Sequence, residues 1–281
     1  MNNLPYLNLG CGGHFDNRWV NVDFSKTGEN VIAHNLLNGI PFDSNTFEVV
    51  YHSHVLEHFP KKEAKQFIEE CYRVLKPGGI LRIAVPDLET IAKNYLRLIE
   101  SGKADPANKK IRADYDWTMI EMYDQVVRNS NGGEMVNYLS DKELLNEDFV
   151  ITRIGYEGQV LRQLLLNTSP SQSPKKSFFQ MLSNNLKRVM SPRSYKTLIL
   201  KTLLKRDYQL LQFAKFKLSG EIHQWMYDFY SLRELLRQTG FNMIAQKEYN
   251  TSNIPNWASF KLDEKNDKAR KPDSLFVEAI K

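Results

Sequence analysis

YLNLGCGGHFDNRWVNVD, residues 6–23, reads as two short strands joined by a glycine turn. Tyr6–Leu9 is an apolar run that stops at Gly10-Cys11-Gly12-Gly13, and Trp19–Val22 is a second run that stops at Asp23. Glycines directly after a first strand let a ligand approach the main chain with no Cβ in the way. Asp23 follows Gly12 by eleven positions, whereas a dinucleotide site places its acidic residue about 20 positions on, beyond a full helix. No full helix fits into eleven residues. The spacing therefore weighs against a pyrophosphate ligand, which uses a helix N-terminus as its anion site.

Outward from this stretch the chain alternates strands and helices. Val31–Ala33 is a third short strand, Pro41, Asp43, Ser44 and Asn45 form a turn, and Phe47–Tyr51 is a fourth strand. Lys62–Leu75 has helical spacing, with Ala64, Phe67, Ile68, Cys71, Tyr72 and Leu75 on one face. Pro77-Gly78-Gly79 stops it, and Ile80–Val85 reads as a strand buried on both faces. This alternation predicts a parallel sheet with right-handed crossovers.

Leu88–Ser101 reads as a helix, Gly102–Lys110 as a polar link, and Ile111–Leu165 as mostly helical with a break at Asn131-Gly132-Gly133. TSPSQSPKK, residues 168–176, reads as a flexible loop, and Phe178–Leu218 as basic amphipathic helix. Ser231–Gln238 is a helix with Ser231 as N-cap and Glu234 completing a capping box, ended by Thr239-Gly240. Asn242–Tyr249 and Leu275–Ile280 are strands. The expectation is one discontinuous α/β domain, residues 1–100 and 222–281, with a mostly helical insertion at 101–221.

Charge is concentrated in that insertion. Residues 166–219 hold eleven Lys or Arg against one acid, Asp207, while the remaining 227 residues carry −5. An anionic partner belongs there: a nucleic-acid backbone, or a membrane surface with Phe178, Phe179, Leu182, Leu186 and Met190 facing lipid. A solvated pair of cap helices is the plainer reading of the same residues. No apolar run reaches the roughly 18 residues of a membrane span, and no secretory leader is recognisable at the start. Two cysteines, Cys11 and Cys71, make no disulfide framework and suit a reducing cytoplasm, with peripheral attachment at the inner membrane face as a variant.

Ligands of open α/β sheets bind beyond the carboxyl ends of the strands, where strand order reverses. Four segments converge there: Gly10-Cys11-Gly12; Asp23, suited to a ribose diol or else a turn residue; His34-Asn35-Leu36 with Pro41-Phe42-Asp43, suited to an adenine edge or else an ordinary loop; and YHSHVLEHF, residues 51–59. In the last, His54, Glu57 and His58 are candidate acid–base groups beside capping and packing roles, and His223 is a further candidate base. The run His52-x-His54 with His58 also admits a metal reading. Because the glycine pattern already has another explanation, no metal is assigned.

LNLGCGG, WVNVD, IPFDSNTFEVVYHSHVLEHF, RVLKPGGILRIAVPD and, later, HQWMYDFYSLRELLRQTGF at 223–241 together resemble the class I S-adenosylmethionine (SAM) dependent methyltransferases of the methyltransferase-11 type. The closest likeness is to a bacterial subgroup in which the glycine loop runs almost directly into the WVNVD strand. The resemblance implies a doubly wound, seven-stranded, mostly parallel sheet closed by an antiparallel C-terminal hairpin. It also implies SAM as cofactor. Asn8, Gly10, Cys11 and Gly12 would form the cofactor loop, with the two glycines along the methionine part. Asp23 would hold the ribose, Asn35 and the Leu36 main chain would meet the adenine, and Ser53 and His54 would lie beside the sulfonium. The family more often has Asp at the position of Asn35. No Asn-Pro-Pro-Tyr type motif follows the fourth strand, where Ser53-His54-Val55-Leu56 stands, which argues against exocyclic base amines. The subgroup's association with cell-surface glycan assembly implies an O-methylated saccharide, free or lipid-linked, as acceptor. An RNA-associated methyltransferase and a non-catalytic SAM-binding module are the alternatives.

Overall fold

The computed structural model describes residues 5–167, 200–217 and 220–281. Its strands are β1 (Tyr6–Leu9), β2 (Val20–Asp23), β3 (Val31–Ala33), β4 (Phe47–Ser53), β5 (Leu75–Pro86), β6 (Asn242–Lys247), the short pair β7 (Glu264–Lys265) and β8 (Lys268–Ala269), and β9 (Ser274–Ile280). Seven of them form one sheet in the order β3-β2-β1-β4-β5-β9-β6. Neighbours from β3 to β5 are parallel, and β9 alone runs antiparallel to β5 and β6. The order reverses between β1 and β4, so the switch point lies at the carboxyl ends of the strands carrying Gly10 and His54.

Side chains alternate across this sheet. Leu7, Leu9, Val50, Leu81, Ile83 and Val277 pack with helix α1 (Lys61–Val74) and with the later Leu232 and Leu236 in the main core. The opposite face over β1 and β4, with Tyr6, Val49, Tyr51 and the adjacent Trp19, is covered by Ile254, Trp257, Phe260 and Leu262 from the connection between β6 and β9. A doubly wound sheet ordinarily puts a helix after β1. Here the short link to β2 has none, and this aromatic layer does that covering. Trp19 is in edge contact with Tyr6, Tyr51, Trp257 and Phe260.

Further helices among the described residues are α2 (Leu88–Ala104), α3 (Lys109–Val127), α4 (Gly133–Leu139), α5 (Glu147–Asn167), α6 (Asp207–Lys217) and α7 (Phe229–Gln238). Helices α3 to α5 share a small core of Trp117, Leu139 and Val150, and the break expected at Asn131-Gly132-Gly133 separates α3 from α4. Helix α5 kinks at Gly155, whose φ of 64° interrupts it.

Three local expectations change. Helix α2 runs through Gly102 and Lys103, shortening the polar link. Strand β5 starts at Leu75, and the Pro77-Gly78-Gly79 turn sits inside it as an irregularity in its pairing with β4. Helix α7 is capped by Asp228, not Ser231: the Asp228 side chain accepts from the Ser231 N–H at 2.7 Å, and Ser231 Oγ accepts from the Asp228 N–H at 3.2 Å. Among the described residues no helix is long and apolar enough to cross a membrane. The loop at 168–176 and the apolar set Phe178, Phe179, Leu182, Leu186 and Met190 lie outside the described residues.

Candidate active site at the switch point

Gly10 takes φ 64°, and its N–H donates to the Val22 carbonyl at 2.8 Å, clipping the glycine turn onto β2. A Cβ at Gly10 would stand 2.3 Å from Val55 Cγ2, so only glycine lets the turn touch the segment after β4. Gly12, at φ 56°, faces open space instead, and its N–H donates to Asp23 Oδ2 at 2.8 Å. Asp23 Oδ1 accepts from the Ser25 N–H at 3.1 Å. Each carboxylate oxygen is thereby oriented by one main-chain donor and retains lone pairs for a further one.

After β3, Asn35 caps a single 3-10 turn, its Oδ1 accepting from the Leu37 N–H at 3.0 Å. That uses the oxygen and keeps the amide NH2 for another partner. At the end of β4, His54 occupies the left-handed region at φ 55°. Its Nδ1 lies 3.2 Å from Glu57 Oε1, and its Nε2 lies 2.8 Å from Ser274 Oγ at the start of β9. Glu57 is fully buried, and neither of its oxygens has a partner in hydrogen-bond geometry. Behind it stand His223, with Nε2 3.9 Å from Glu57 Oε1, and His58, whose ring meets that of His223 edge-on at 4.8 Å.

Burial pushes the Glu57 carboxyl up, but the imidazoles of His54, His223 and His58 outweigh it and bring it to about 2. Burial likewise dominates at His223, bringing it to about 3 against the pull of Glu57. The directions agree with an ionised carboxylate and a neutral His223 near pH 7.

These groups border a cavity of about 570 Å³. Gly10 and Asp23 with Phe24 and Ser25 come from the first two strand ends, His34–Leu37 from the third, and His54, Val55 and His58–Pro60 from the fourth; Gly220 and Glu221 close it from the insertion side. Among the described residues Asp23 and Glu221 line it and no Lys or Arg does.

Of the residues expected from sequence, Gly10, Asp23, Asn35, Leu36, His54 and His58 are brought together here. Gly12 holds Asp23 from the loop edge. Asn8 does not reach the cavity: it is buried below the turn, its amide donating to Asn21 Oδ1 at 3.1 Å. Cys11 is buried too, and burial raises its thiol to about 11. Ser53 and His223 stand off the lining, His223 behind Glu57. His52 departs from the histidine run altogether. Strand alternation turns it into the core against Phe67, where burial lowers it to about 4, so His52, His54 and His58 cannot form one ligand set. Ser274 was not foreseen, and nothing local marks a serine 220 positions from its imidazole partner.

Residues 7–83 match the family model described as Methyltransferase domain, Methyltransf_11. A segment of 61 residues is 34% identical to a probable S-adenosylmethionine-dependent methyltransferase of Mycolicibacterium smegmatis. It covers 22% of this chain and 23% of that relative, so the likeness spans about a quarter of the relative's length. Among solved structures, a SAM-dependent methyltransferase from Archaeoglobus fulgidus is 11% identical with a TM-score of 0.37, over 98% of this chain and 85% of that one. A SAM-dependent methyltransferase from Thermotoga maritima, described as a possible histamine N-methyltransferase, is 9% identical with a TM-score of 0.36, over 98% and 81%. Strand order and the reversal between β1 and β4 are seen in the chain itself, and the part of the sheet from β1 to β5 is the part that the methyltransferase-domain model matches.

Proposed function

We propose that the chain transfers a methyl group from SAM to an oxygen of its acceptor, with a saccharide hydroxyl as the acceptor class. The observation that carries the cofactor reading is the cavity's charge. Among the described residues the switch-point cavity is lined by the carboxylates of Asp23 and Glu221 and by no Lys or Arg, which suits a cationic sulfonium better than a pyrophosphate. Its volume is adequate for a nucleoside carrying an amino-acid chain, and the open space at Gly12 admits a ligand to the main chain.

When bound, SAM supplies a methyl carbon already activated by the sulfonium. The protein's own work is alignment, where a misplacement of about 1 Å costs about 100-fold. Asp23 accepts from the ribose hydroxyls, with its carboxylate held in place by Gly12 and Ser25. The Asn35 amide NH2 and the Leu36 main chain meet the adenine, and Gly10 and Gly12 admit the methionine part.

His54 removes the acceptor proton. Its Nδ1 lies beside the Glu57 carboxylate, which favours the Nδ1–H tautomer and leaves the Nε2 lone pair as the base. Ser274 Oγ already sits at hydrogen-bond distance from Nε2, the place an acceptor hydroxyl takes or passes its proton through. We assign residues 101–221 to a cap over the acceptor end, a reading supported by Gly220 and Glu221 on the cavity wall. The saccharide class rests on the sequence resemblance.

Calorimetric titration with SAM and S-adenosylhomocysteine tests the cofactor half directly. Micromolar binding is expected. Asp23→Ala removes hydrogen bonds to a charged acceptor, about 1.5–3 kcal/mol, and so weakens binding roughly 10- to 100-fold. Absence of binding to either ligand ends the reading.

A further inference from the structure

Glu57 presents a problem that methyl transfer alone does not solve. Its side chain is fully buried, and apart from the His54 imidazole 3.2 Å from Oε1 neither oxygen has a partner. A buried carboxylate left in that condition is costly unless something positive meets it. His54 at 3.2 Å meets one edge only. Among the described residues, Glu57, His58 and His223 each bring one ligand-type atom within 4.8 Å of the others.

We propose that Glu57, His58 and His223 bind one divalent first-row transition-metal ion, Zn2+ by preference, with a fourth position open to the cavity. Two imidazoles and a carboxylate are a three-ligand set that leaves Zn2+ an open position. The same set is too rich in nitrogen for Mg2+ or Ca2+, which take oxygen ligands.

The surroundings are arranged as a metal site requires. His58 Nδ1 lies 3.3 Å from the Ile222 carbonyl, which can only accept, so the proton sits on Nδ1 and the Nε2 lone pair is left for a metal. A ligating histidine held by a main-chain carbonyl through its other nitrogen is the usual outer arrangement. The two ligand-bearing segments are also tied together. The N–H groups of Gln224 and Trp225 both donate to the Glu57 carbonyl, at 2.7 and 3.2 Å, and the His223 N–H donates to the Gln125 carbonyl at 3.0 Å. Ligand atoms about 2.0–2.1 Å from a tetrahedral ion stand about 3.3 Å apart. The 3.9 Å between His223 Nε2 and Glu57 Oε1, and the 4.8 Å within which all three ligand atoms lie, therefore shorten by side-chain rotation when the ion binds. His58 lines the cavity while Glu57 and His223 lie behind it, so the open position faces the acceptor.

Metal binding does not depend on the methyltransferase reading, although an ion there would polarise an acceptor oxygen if that reading holds. The test uses tag-free full chain, stripped with chelator and titrated with Co2+, then Zn2+. One Co2+ per chain with visible ligand-field absorption, displaced by Zn2+, is expected. His58→Ala and His223→Ala each weaken binding at least as much as loss of an outer partner does, about 10- to 100-fold. Glu57→Gln, which conserves volume, does the same. His14→Ala, whose imidazole contacts the Lys261 carbonyl elsewhere, leaves binding unchanged. Circular dichroism and SAM titration on each variant separate loss of ligand from loss of fold. The proposal is overturned if the stripped wild type takes up neither ion stoichiometrically. It is equally overturned if binding survives in a folded His58→Ala/His223→Ala protein. SAM binding that persists in either event leaves the methyltransferase reading standing.

Discussion

His54 holds a left-handed backbone, φ 55°, which costs a non-glycine residue on the order of 1–3 kcal/mol. The conformation turns its ring back between Glu57 and Ser274 at the cavity wall, so the strained residue is one that lines the cavity. Replacing it with alanine is expected to lower kcat by about 10²- to 10⁴-fold, the range of a lost general base, a far larger change than any in SAM affinity. An unaltered kcat on an oxygen acceptor would remove His54 from the base role. His52, two residues earlier, does the opposite job. Buried against Phe67, it is neutral in the fold, with its pKa lowered from 6.5 to about 4 by burial. Between those values the unfolded chain takes up a proton that the native one refuses, so stability is full above about pH 6.5 and falls as pH drops towards 4. The slope from this one group is about 1.4 kcal/mol per pH unit. His52→Leu should flatten it in urea unfolding followed across that window.

At the scale of elements, Asp228 starts α7 and closes a reciprocal pair with Ser231. Asp228→Ala should cost about 1 kcal/mol, read as a lower urea midpoint at unchanged m-value. Ser231→Ala should cost less, because the amide of residue 231 keeps its Asp228 carboxylate. The misplaced cap shows how a local signal can be present and still be read one turn late: Ser231 with Glu234 fits the box pattern, and so does Asp228 with Ser231. What separates them is that Phe229 and Tyr230 are already helical, which depends on where the chain arrives from rather than on its composition. Strands and α1 were legible because apolar period and glycine stops are local quantities. Gly10, Asp23, Asn35, Leu36 and His54 followed from them, since strand ends in a parallel sheet must share an edge.

Across the whole molecule the decisive residue is Arg82, in a strand that reads as almost wholly apolar. Its guanidinium is fully buried, bonded to Asp263 Oδ2 and Glu278 Oε1 at 2.9 Å each and to main-chain carbonyls of Glu248, Tyr249 and Thr251, with its plane over Trp257. It ties β5 and β9 to the aromatic layer that stands in for the missing helix. Arg82→Met leaves two carboxylates buried without their cation and should destabilise by about 3–5 kcal/mol. A loss under 1 kcal/mol in calorimetry would mean the layer is held by its aromatic contacts alone. The sequence by itself determined the strand–helix alternation, the glycine turn without a helix, and the sheet edge that carries the cavity. Those depend on neighbours a few residues apart. Only the tertiary structure decided what covers the bare face, which histidine leaves the site, and which groups meet at Glu57. Ser274, His223 and Asp263 reach their partners across 220, 166 and 181 positions, and pairings at that range are set by packing of the whole chain, for which no local pattern stands as a signal.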